Sequence, residues 1–154
     1  MRVQNPDHLL DGFQPDAVAL TAHHGLHYQQ THRGCGLVAY QEKWLRQVLL
    51  NLLANALRVS PPGATVILKS DIGPEVWKVS ITDQGPGLPR ALHHRIFERF
   101  ARFNIPDDGD RGSGLGLAIC QSIIELHGGR IFAEDGDDGR GLCVTFEIPL
   151  AEAA

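Results

Sequence analysis

The clearest hydrophobic pattern in the chain lies in residues 42–58, where apolar side chains recur at the spacing of an α-helix. The apolar positions are Trp44, Leu45, Val48, Leu49, Leu52, Leu53, Ala56 and Leu57. The Ser-Pro-Pro-Gly sequence at 60–63 stops the run, so we predict an amphipathic helix that ends before it. Residues 64–69 and 76–82 instead alternate and are rich in β-branched side chains, which predicts an antiparallel pair of strands joined by a turn at 71–74.

The other predicted elements are weaker. In chain order they are a helix at 16–30 with Pro15 near its start, a strand at 36–40, a short amphipathic segment at 91–100, a helix at 115–127 capped by Gly128-Gly129, and a hairpin formed by 130–133 and 142–148. Residues 104–111 are too polar to pack against a core, which predicts a mobile loop. The sequence contains no internal repeat or low-complexity linker, and we therefore predict one domain spanning residues 1–154.

The composition narrows the function classes. The chain has 154 residues, of which 43% are hydrophobic and 21% charged, and no apolar run approaches the ~18 residues needed to span a bilayer. The formal net charge is -4 and the Lys and Arg residues are scattered, which argues against nucleic acid as the main partner. We therefore expect a soluble, cytoplasmic domain without direct membrane contact. This expectation includes the case in which the domain is the soluble part of a membrane-anchored sensor.

Neither the cysteines nor the histidines form a pattern typical of a metal site. Cys35, Cys120 and Cys143 are widely spaced and include no CxxC pair, so we interpret them as reduced, small apolar residues. His23 and His27 have the i, i+4 spacing that can chelate a metal. No neighbouring carboxylate completes a site there, and a solvated helix face explains these histidines better.

Three glycines at alternate positions, Gly112, Gly114 and Gly116, lead into the apolar helix predicted at 115–127. Glycine lets the backbone approach a ligand closely, and the first turn of a helix offers unpaired N–H groups to an anion. The pattern is typical of a phosphate site, although glycines also form ordinary turns.

Asn51, Asn55 and Arg58 lie at i, i+4 and i+7 of the best predicted helix and so share one polar stripe. The two amides supply carbonyl oxygens for a hard cation such as Mg²⁺, and the guanidinium supplies donors for phosphate. A solvated helix face is the alternative. Asparagine is a poor helix former, and two of them in mid-helix favour the functional interpretation.

A second glycine loop, Asp83-Gln84-Gly85-Pro86-Gly87-Leu88, follows a predicted strand. An aspartate at this place can accept a hydrogen bond from the exocyclic amine of adenine, and the glycines let the loop bend close to the base. Taken alone, such a loop is more often a simple turn.

Together these segments resemble the ATP-binding catalytic domain of sensor histidine kinases, within the wider family that includes gyrase, Hsp90 and MutL. Five motifs stand in the family's order: an asparagine box at 47–56, a first glycine box at 83–88, a phenylalanine box at 96–100, a second glycine box at 112–119, and His127-Gly128-Gly129. The resemblance covers about residues 44–150, whereas residues 1–40 match poorly. It implies a two-layer α/β sandwich, the Bergerat fold, with helices on one face of a mixed, mostly antiparallel sheet.

Within this resemblance the asparagine helix carries the metal and catalytic residues. Asn55 would coordinate Mg²⁺, Asn51 would support the metal and the phosphates, and Arg58 would lie near the phosphates. Relatives that hydrolyse ATP or phosphorylate serine carry a Glu where this chain has Asn51, because activating a water or a hydroxyl group needs a general base. An amide cannot act as that base, whereas a neutral imidazole is already nucleophilic, so Asn51 favours a histidine kinase.

The glycine boxes would carry the nucleotide contacts. Asp83 would recognise adenine in a pocket shaped by Gly85 and Gly87. The remaining contacts, to the phosphates of ATP, would come from Arg102, Gly112, Gly114, Leu115 and Gly116. A flexible lid at about residues 90–113 would close over the nucleotide.

Departures from the family's pattern leave a second hypothesis open. Val59 stands where an aromatic residue commonly packs near adenine, Arg111 replaces a glycine of the second glycine box, and Gln41 replaces a common Asp. In these kinases the phosphoacceptor histidine is followed directly by an acidic residue, and no histidine of this chain is. The phosphoacceptor would therefore lie on a dimerisation domain, of the same or another chain, and a response regulator would act downstream. The alternative function is a degenerate module that binds nucleotide or a partner without catalysis.

Overall fold

The computed structural model describes residues 1–98, 116–136 and 139–151. The elements in chain order are β1 (Arg2–Gln4), α1 (Asp7–His23), β2 (His27–Arg33), β3 (Val38–Tyr40), α2 (Glu42–Val59), β4 (Thr65–Ile72), β5 (Val76–Thr82), a 3-10 helix (Arg90–Phe97), α3 (Gly116–Leu126), β6 (Arg130–Asp135) and β7 (Leu142–Pro149). No helix in these described ranges is long and apolar enough to cross a membrane.

Five strands form one sheet in the order β2-β4-β5-β7-β6, and β1 pairs with β3 in a separate two-stranded sheet. β2 and β4 are parallel, whereas every other neighbouring pair in the large sheet is antiparallel. The pair β4/β5 and the hairpin β6/β7 confirm both strand pairings predicted from the sequence. The sheet is mixed and mostly antiparallel, as expected.

One face of this sheet is apolar and lies under the helices. The strand register places on that face the buried side chains Val66, Leu68, Ile72, Trp77, Val79, Ile81, Val144, Phe146 and Ile148. α1 packs on β2, α2 on β5, and α3 on β6 and β7, while α2 also contacts both other helices. The result is the two-layer α/β sandwich that the resemblance implies.

α2 is the element that the sequence predicts best. It begins at Glu42 as expected and ends at Val59, one residue beyond the predicted end. Its buried side chains are Leu45, Val48, Leu49, Leu52, Leu53 and Ala56, all from the apolar set. Trp44, from the same set, is 45% exposed.

The helix predicted at residues 16–30 is wrong in its bounds, because α1 begins at Asp7 and ends at His23. The side-chain oxygen of Asn5 accepts the Asp7 N–H at 3.0 Å and so caps the first turn. Pro15 lies inside the helix. The missing N–H of a proline disfavours a helix interior, but here the burial of an apolar stripe prevails; the stripe consists of Leu9, Leu10, Phe13 and Ala17.

α1 and α3 end in the same kind of glycine cap. After α1, Gly25 adopts φ +73°, and the next residue, Leu26, donates its N–H to Thr21 O at 2.8 Å. The chain then enters β2, so residues 27–30 form a strand and not the end of a helix. After α3, Gly128 adopts φ +77° and Gly129 donates to Ile124 O at 3.0 Å, which confirms the predicted cap.

The remaining sequence predictions have mixed outcomes. The strand expected at 36–40 is present as β3, and the amphipathic segment at 91–100 begins as the 3-10 helix. β1 was not predicted. The polar loop at 104–111 lies outside the described residues.

A line of polar contacts joins α1 to the sheet through the apolar layer. Trp77 Nε1 donates to Ser70 Oγ at 2.8 Å, and Ser70 Oγ lies 2.8 Å from His32 Nδ1. His32 Nε2 in turn lies 2.5 Å from a carboxylate oxygen of Asp7. These contacts fix the first turn of α1 over β2, β4 and β5.

Candidate functional site

Asp83 follows directly after β5 and is buried, with 5% of its surface exposed. Its Oδ1 accepts two backbone hydrogen bonds, from the Gly85 N–H at 2.9 Å and from the Leu142 N–H at 3.0 Å. Burial raises the pKa of this carboxyl above its ordinary value of 3.8, and the two hydrogen bonds oppose the shift. Among the described residues, none donates a hydrogen bond to Oδ2. This second oxygen of the buried carboxylate is therefore an acceptor that a ligand can use.

Two glycines of the loop at 83–88 occupy places where a side chain does not fit. A Cβ on Gly85 would lie 2.6 Å from the backbone oxygen of Val59, at the end of α2. A Cβ on Gly87, which adopts φ +70°, would lie 2.9 Å from the backbone oxygen of Gly141. The loop is therefore held between the asparagine helix on one side and the β6/β7 hairpin on the other.

Gly141 belongs to this site, although the sequence analysis did not single it out. It adopts φ +71°, and a Cβ there would overlap the backbone oxygen of Asp83. The next residue is Leu142, whose N–H binds the Asp83 carboxylate. The sequence offers one signal for it, a second glycine two residues after Gly139 and directly before the predicted strand at 142–148.

Asn55 and Arg58 lie together on the last turns of α2, as the predicted stripe requires. Arg58 Nη2 donates to Asn55 Oδ1 at 2.5 Å. Asn55 is half-buried and Arg58 is exposed, so the guanidinium binds the amide oxygen from the solvent side. An amide oxygen that attracts one cation in this way is also a suitable ligand for a hard metal ion.

Asn51 connects α2 to the start of α3. Its Nδ2 donates to the backbone oxygen of Gly116 at 3.3 Å, and its Oδ1 accepts a hydrogen bond from Gln47 at 2.8 Å. The buried thiol of Cys120 also contacts the Asn51 side chain, while burial raises the pKa of that thiol to about 12. Asn51 therefore joins the asparagine box to Gly116, the residue of the second glycine box at which α3 begins.

His127 joins α2 and α3 at the opposite end of this helix pair. Its Nδ1 lies 2.7 Å from Ile123 O, and its Nε2 accepts the backbone N–H of Gln41 at 3.2 Å. This arrangement requires the neutral ring with the proton on Nδ1. The contact uses the backbone of Gln41, so the departure from the common Asp at this position leaves it intact.

His93 anchors the 3-10 helix to the same loop and had no role in the sequence analysis. It is 8% exposed, and its Nε2 lies 2.9 Å from Leu88 O and 3.4 Å from a carboxylate oxygen of Asp135 on β6. A single N–H directed at both groups ties the end of the glycine loop to β6.

Part of the predicted phosphate site falls outside the described residues. The residues concerned are Arg102, Gly112, Gly114 and Leu115, together with most of the lid. Gly116 is described and begins α3. In the described ranges, no group of three or more His, Cys, Asp or Glu side chains could hold a metal ion. The two amide oxygens predicted as cation ligands are described: that of Asn51 accepts from Gln47, and that of Asn55 accepts from Arg58.

A sequence profile of the family described as histidine kinase-, DNA gyrase B- and HSP90-like ATPases matches residues 40–152. The chain belongs to this family. It is 45% identical over 58 residues to the probable sensor histidine kinase TcrY of Mycobacterium tuberculosis, a match that covers 38% of this chain and 12% of TcrY. The match thus spans only a small part of the length of that curated relative.

Two solved structures, one of them of a sensor histidine kinase, have the same fold as this chain. The mycobacterial sensor histidine kinase MprB has a TM-score of 0.82 and 28% sequence identity, over 99% of both chains. Full-length ShkA, solved in complex with AMPPNP, has the same TM-score and identity, over 100% of this chain and 32% of ShkA. This ATPase-family domain is therefore of the type found in sensor histidine kinases.

Gly141→Ala should destabilise the protein more than Gly139→Ala, although the two glycines adopt φ +71° and +72°. The left-handed backbone costs an alanine about 1–2 kcal/mol at either position. At Gly141 the new Cβ also overlaps the backbone of Asp83, whereas at Gly139 it meets no described residue within 4 Å. We expect an additional loss of about 1–3 kcal/mol in the free energy of unfolding, measured by urea denaturation. Equal losses in the two variants would contradict the packing of Gly141 on Asp83.

Asp83→Asn should make the protein more stable at pH 7. Because burial raises the pKa of Asp83, the folded state holds a proton on this carboxyl at pH values where the unfolded chain has lost it. The free energy of unfolding of the wild type therefore rises as the pH falls through the raised pKa toward 3.8. An asparagine keeps the accepting oxygen without the buried charge, so the advantage of Asp83→Asn should shrink over the same range.

Urea denaturation at a series of pH values measures this difference. Asp11→Asn, at an exposed position on α1, is the control and should change stability little at any pH. A wild-type stability that increases from pH 4 to pH 7 relative to Asp83→Asn would show that the charged carboxylate is favoured in the folded state, against our expectation.

Proposed function

We propose that this domain is the ATP-binding catalytic part of a two-component sensor histidine kinase. It would bind Mg-ATP and donate the γ-phosphoryl group to a histidine on a separate dimerisation domain, of the same or another chain. A response regulator would then receive the phosphoryl group. Because the reaction consumes ATP, we place the domain in the cytoplasm.

The observation that carries this proposal is the environment of Asp83. A buried carboxylate with one oxygen held by two backbone N–H groups presents its second oxygen in a fixed direction. Such an acceptor suits the exocyclic amine of adenine, since a charge-assisted hydrogen bond is strong in a desolvated site. The packing of Gly85 on Val59 supports the assignment, because it holds this loop against the helix that carries the predicted phosphate and metal residues.

The phosphate end of the nucleotide would lie over the last turns of α2. Asn55 supplies a neutral oxygen of the kind that Mg²⁺ accepts beside phosphate oxygens, and Arg58 supplies guanidinium N–H groups for phosphate. The bound Mg²⁺ would neutralise part of the phosphate charge. The existing bond between Arg58 and Asn55 would then be exchanged, with the guanidinium turning to the phosphates and the amide oxygen to the cation.

Asn51 bears on the choice of reaction. Its amide accepts from Gln47 and donates to Gly116, and an amide is no base. Positioning and charge neutralisation are then what this domain contributes to phosphoryl transfer, which suits an acceptor that is nucleophilic without deprotonation, such as a neutral imidazole. The similarity to ShkA, which was solved with AMPPNP bound, supports nucleotide binding.

Calorimetric titration with AMPPNP tests nucleotide binding. In the presence of Mg²⁺ we expect a Kd of about 1 μM to 1 mM, and we expect chelation of the metal to weaken binding. Asn55→Ala should lose about tenfold in affinity with Mg²⁺ and little without it, because the amide oxygen serves the cation. Lys43→Ala, exposed on the first turn of the same helix, is the control and should bind like the wild type. The absence of any binding by folded wild-type protein would refute the proposal.

Phosphoryl transfer requires a second experiment with γ-labelled ATP. We expect acid-labile label to appear on an added dimerisation domain that carries its histidine, and none on this chain alone. Asn55→Ala should abolish the transfer. Label on the chain itself would contradict the separate acceptor. The domain could instead bind nucleotide and yet transfer no phosphoryl group to any of several sensor-kinase dimerisation domains tested. That result would favour the degenerate regulatory module.

A further inference from the structure

Gln47 is the first residue of the asparagine box and lies exposed on α2, one helical turn before Asn51. Neither the polar stripe nor the proposed mechanism gives it a role. Its Nε2 donates to Asn51 Oδ1 at 2.8 Å. This i, i+4 pair is placed by helix geometry alone, because residues four apart lie above each other on one face. Gln47 therefore contacts Asn51 without itself facing the core.

The orientation of the Asn51 amide is set by its hydrogen bond to the start of α3. The backbone oxygen of Gly116 can only accept a hydrogen bond, so the NH2 group of Asn51 must face α3 and its oxygen must face back along α2. In that direction Gln47 provides the donor. A reversed amide would bring the Asn51 oxygen against the Gly116 oxygen and leave both acceptors without a proton between them.

We propose that Gln47 is a positioning residue of the nucleotide site. By donating to Asn51 Oδ1, it occupies that oxygen and keeps the NH2 group of Asn51 on the first residue of α3. Of the two asparagines, Asn55 is then the one whose oxygen turns to a cation. Asn51 couples α2 to α3, the helix that begins within the second glycine box. The consequence for nucleotide affinity rests on the function proposed above, whereas the orientation of Asn51 does not.

Three substitutions at position 47 separate hydrogen-bond donation from shape and from charge. Gln47→Met keeps the length of the side chain and removes the donor. Gln47→Glu keeps the shape and offers acceptors only, and Gln47→Lys offers donors only. Because the position is exposed, none of the three should prevent folding. Gln14→Met, at an exposed glutamine of α1, is the matched control.

The primary measurement is the side-chain NH2 signal of Asn51 in nitrogen-15 NMR spectra, assigned by its loss in Asn51→Asp. We expect the NH2 protons to exchange with solvent about tenfold faster in Gln47→Met and Gln47→Glu than in the wild type. Gln47→Lys should restore slow exchange, which a purely structural role of the glutamine would not require. Gln14→Met should leave the signal unchanged. Unchanged exchange in Gln47→Met, or no rescue by Gln47→Lys, would overturn the proposal.

The second measurement is the affinity for Mg-AMPPNP. Gln47→Met should bind about three- to tenfold more weakly than the wild type, and Gln14→Met should bind equally well. Faster NH2 exchange with undiminished affinity would overturn the role in the nucleotide site. If the wild type binds no nucleotide, the proposed function fails, and the exchange rates of Asn51 still decide whether Gln47 orients the amide.

Discussion

The burial of one carboxyl group, Asp83, is the constraint on which the site depends. Moving a carboxylate out of water is costly unless hydrogen bonds replace the lost solvation. The two N–H groups that do so come from separate segments, the loop after β5 and the start of β7. The carboxylate can be held only if these backbones approach closely, and Gly141 permits that approach because it has no Cβ. The buried charge of Asp83, its two hydrogen bonds and the glycine at 141 therefore depend on one another.

The two asparagines of α2 differ in what binds them. The Asn55 oxygen is bound by Arg58, an exposed side chain with several rotatable bonds that can move to another partner. Asn51 is bound at both ends, by Gln47 and by the backbone of Gly116, and its amide faces a neighbouring helix. Breaking the first contact requires one side-chain rotation, whereas releasing Asn51 requires loss of a link between helices. A single sequence motif therefore contains one exchangeable side-chain contact and one fixed connection.

The sequence predicted those elements whose signals are local. The apolar period of α2, the alternation in β4 and β5, and the glycine at the end of α3 each act within a few residues, and all three predictions hold. α1 was misplaced because Pro15 is a local signal that the burial of the helix's apolar stripe overrides. In the site, Asp83 and the helix stripe could be identified by residue type and spacing. The roles of Gly141 and His93 could not, since they come from partners distant in sequence that only the packed sheet brings together. The glycine at 141 is visible in the sequence, but its contact with Asp83 is not.

The distribution of hydrogen bonds also bears on how the proposed chemistry is divided between domains. An enzyme that deprotonates its acceptor needs a base beside the phosphates, and in this chain Asn51 has an amide whose donor and acceptor are both bound within the protein. On the proposed function, the nucleotide would therefore be held and its charge balanced by this domain, while the reactivity of the acceptor would come from the acceptor's own surroundings. On this proposal, such a division would keep bound ATP unreactive toward water until a nucleophile that needs no base is brought to it.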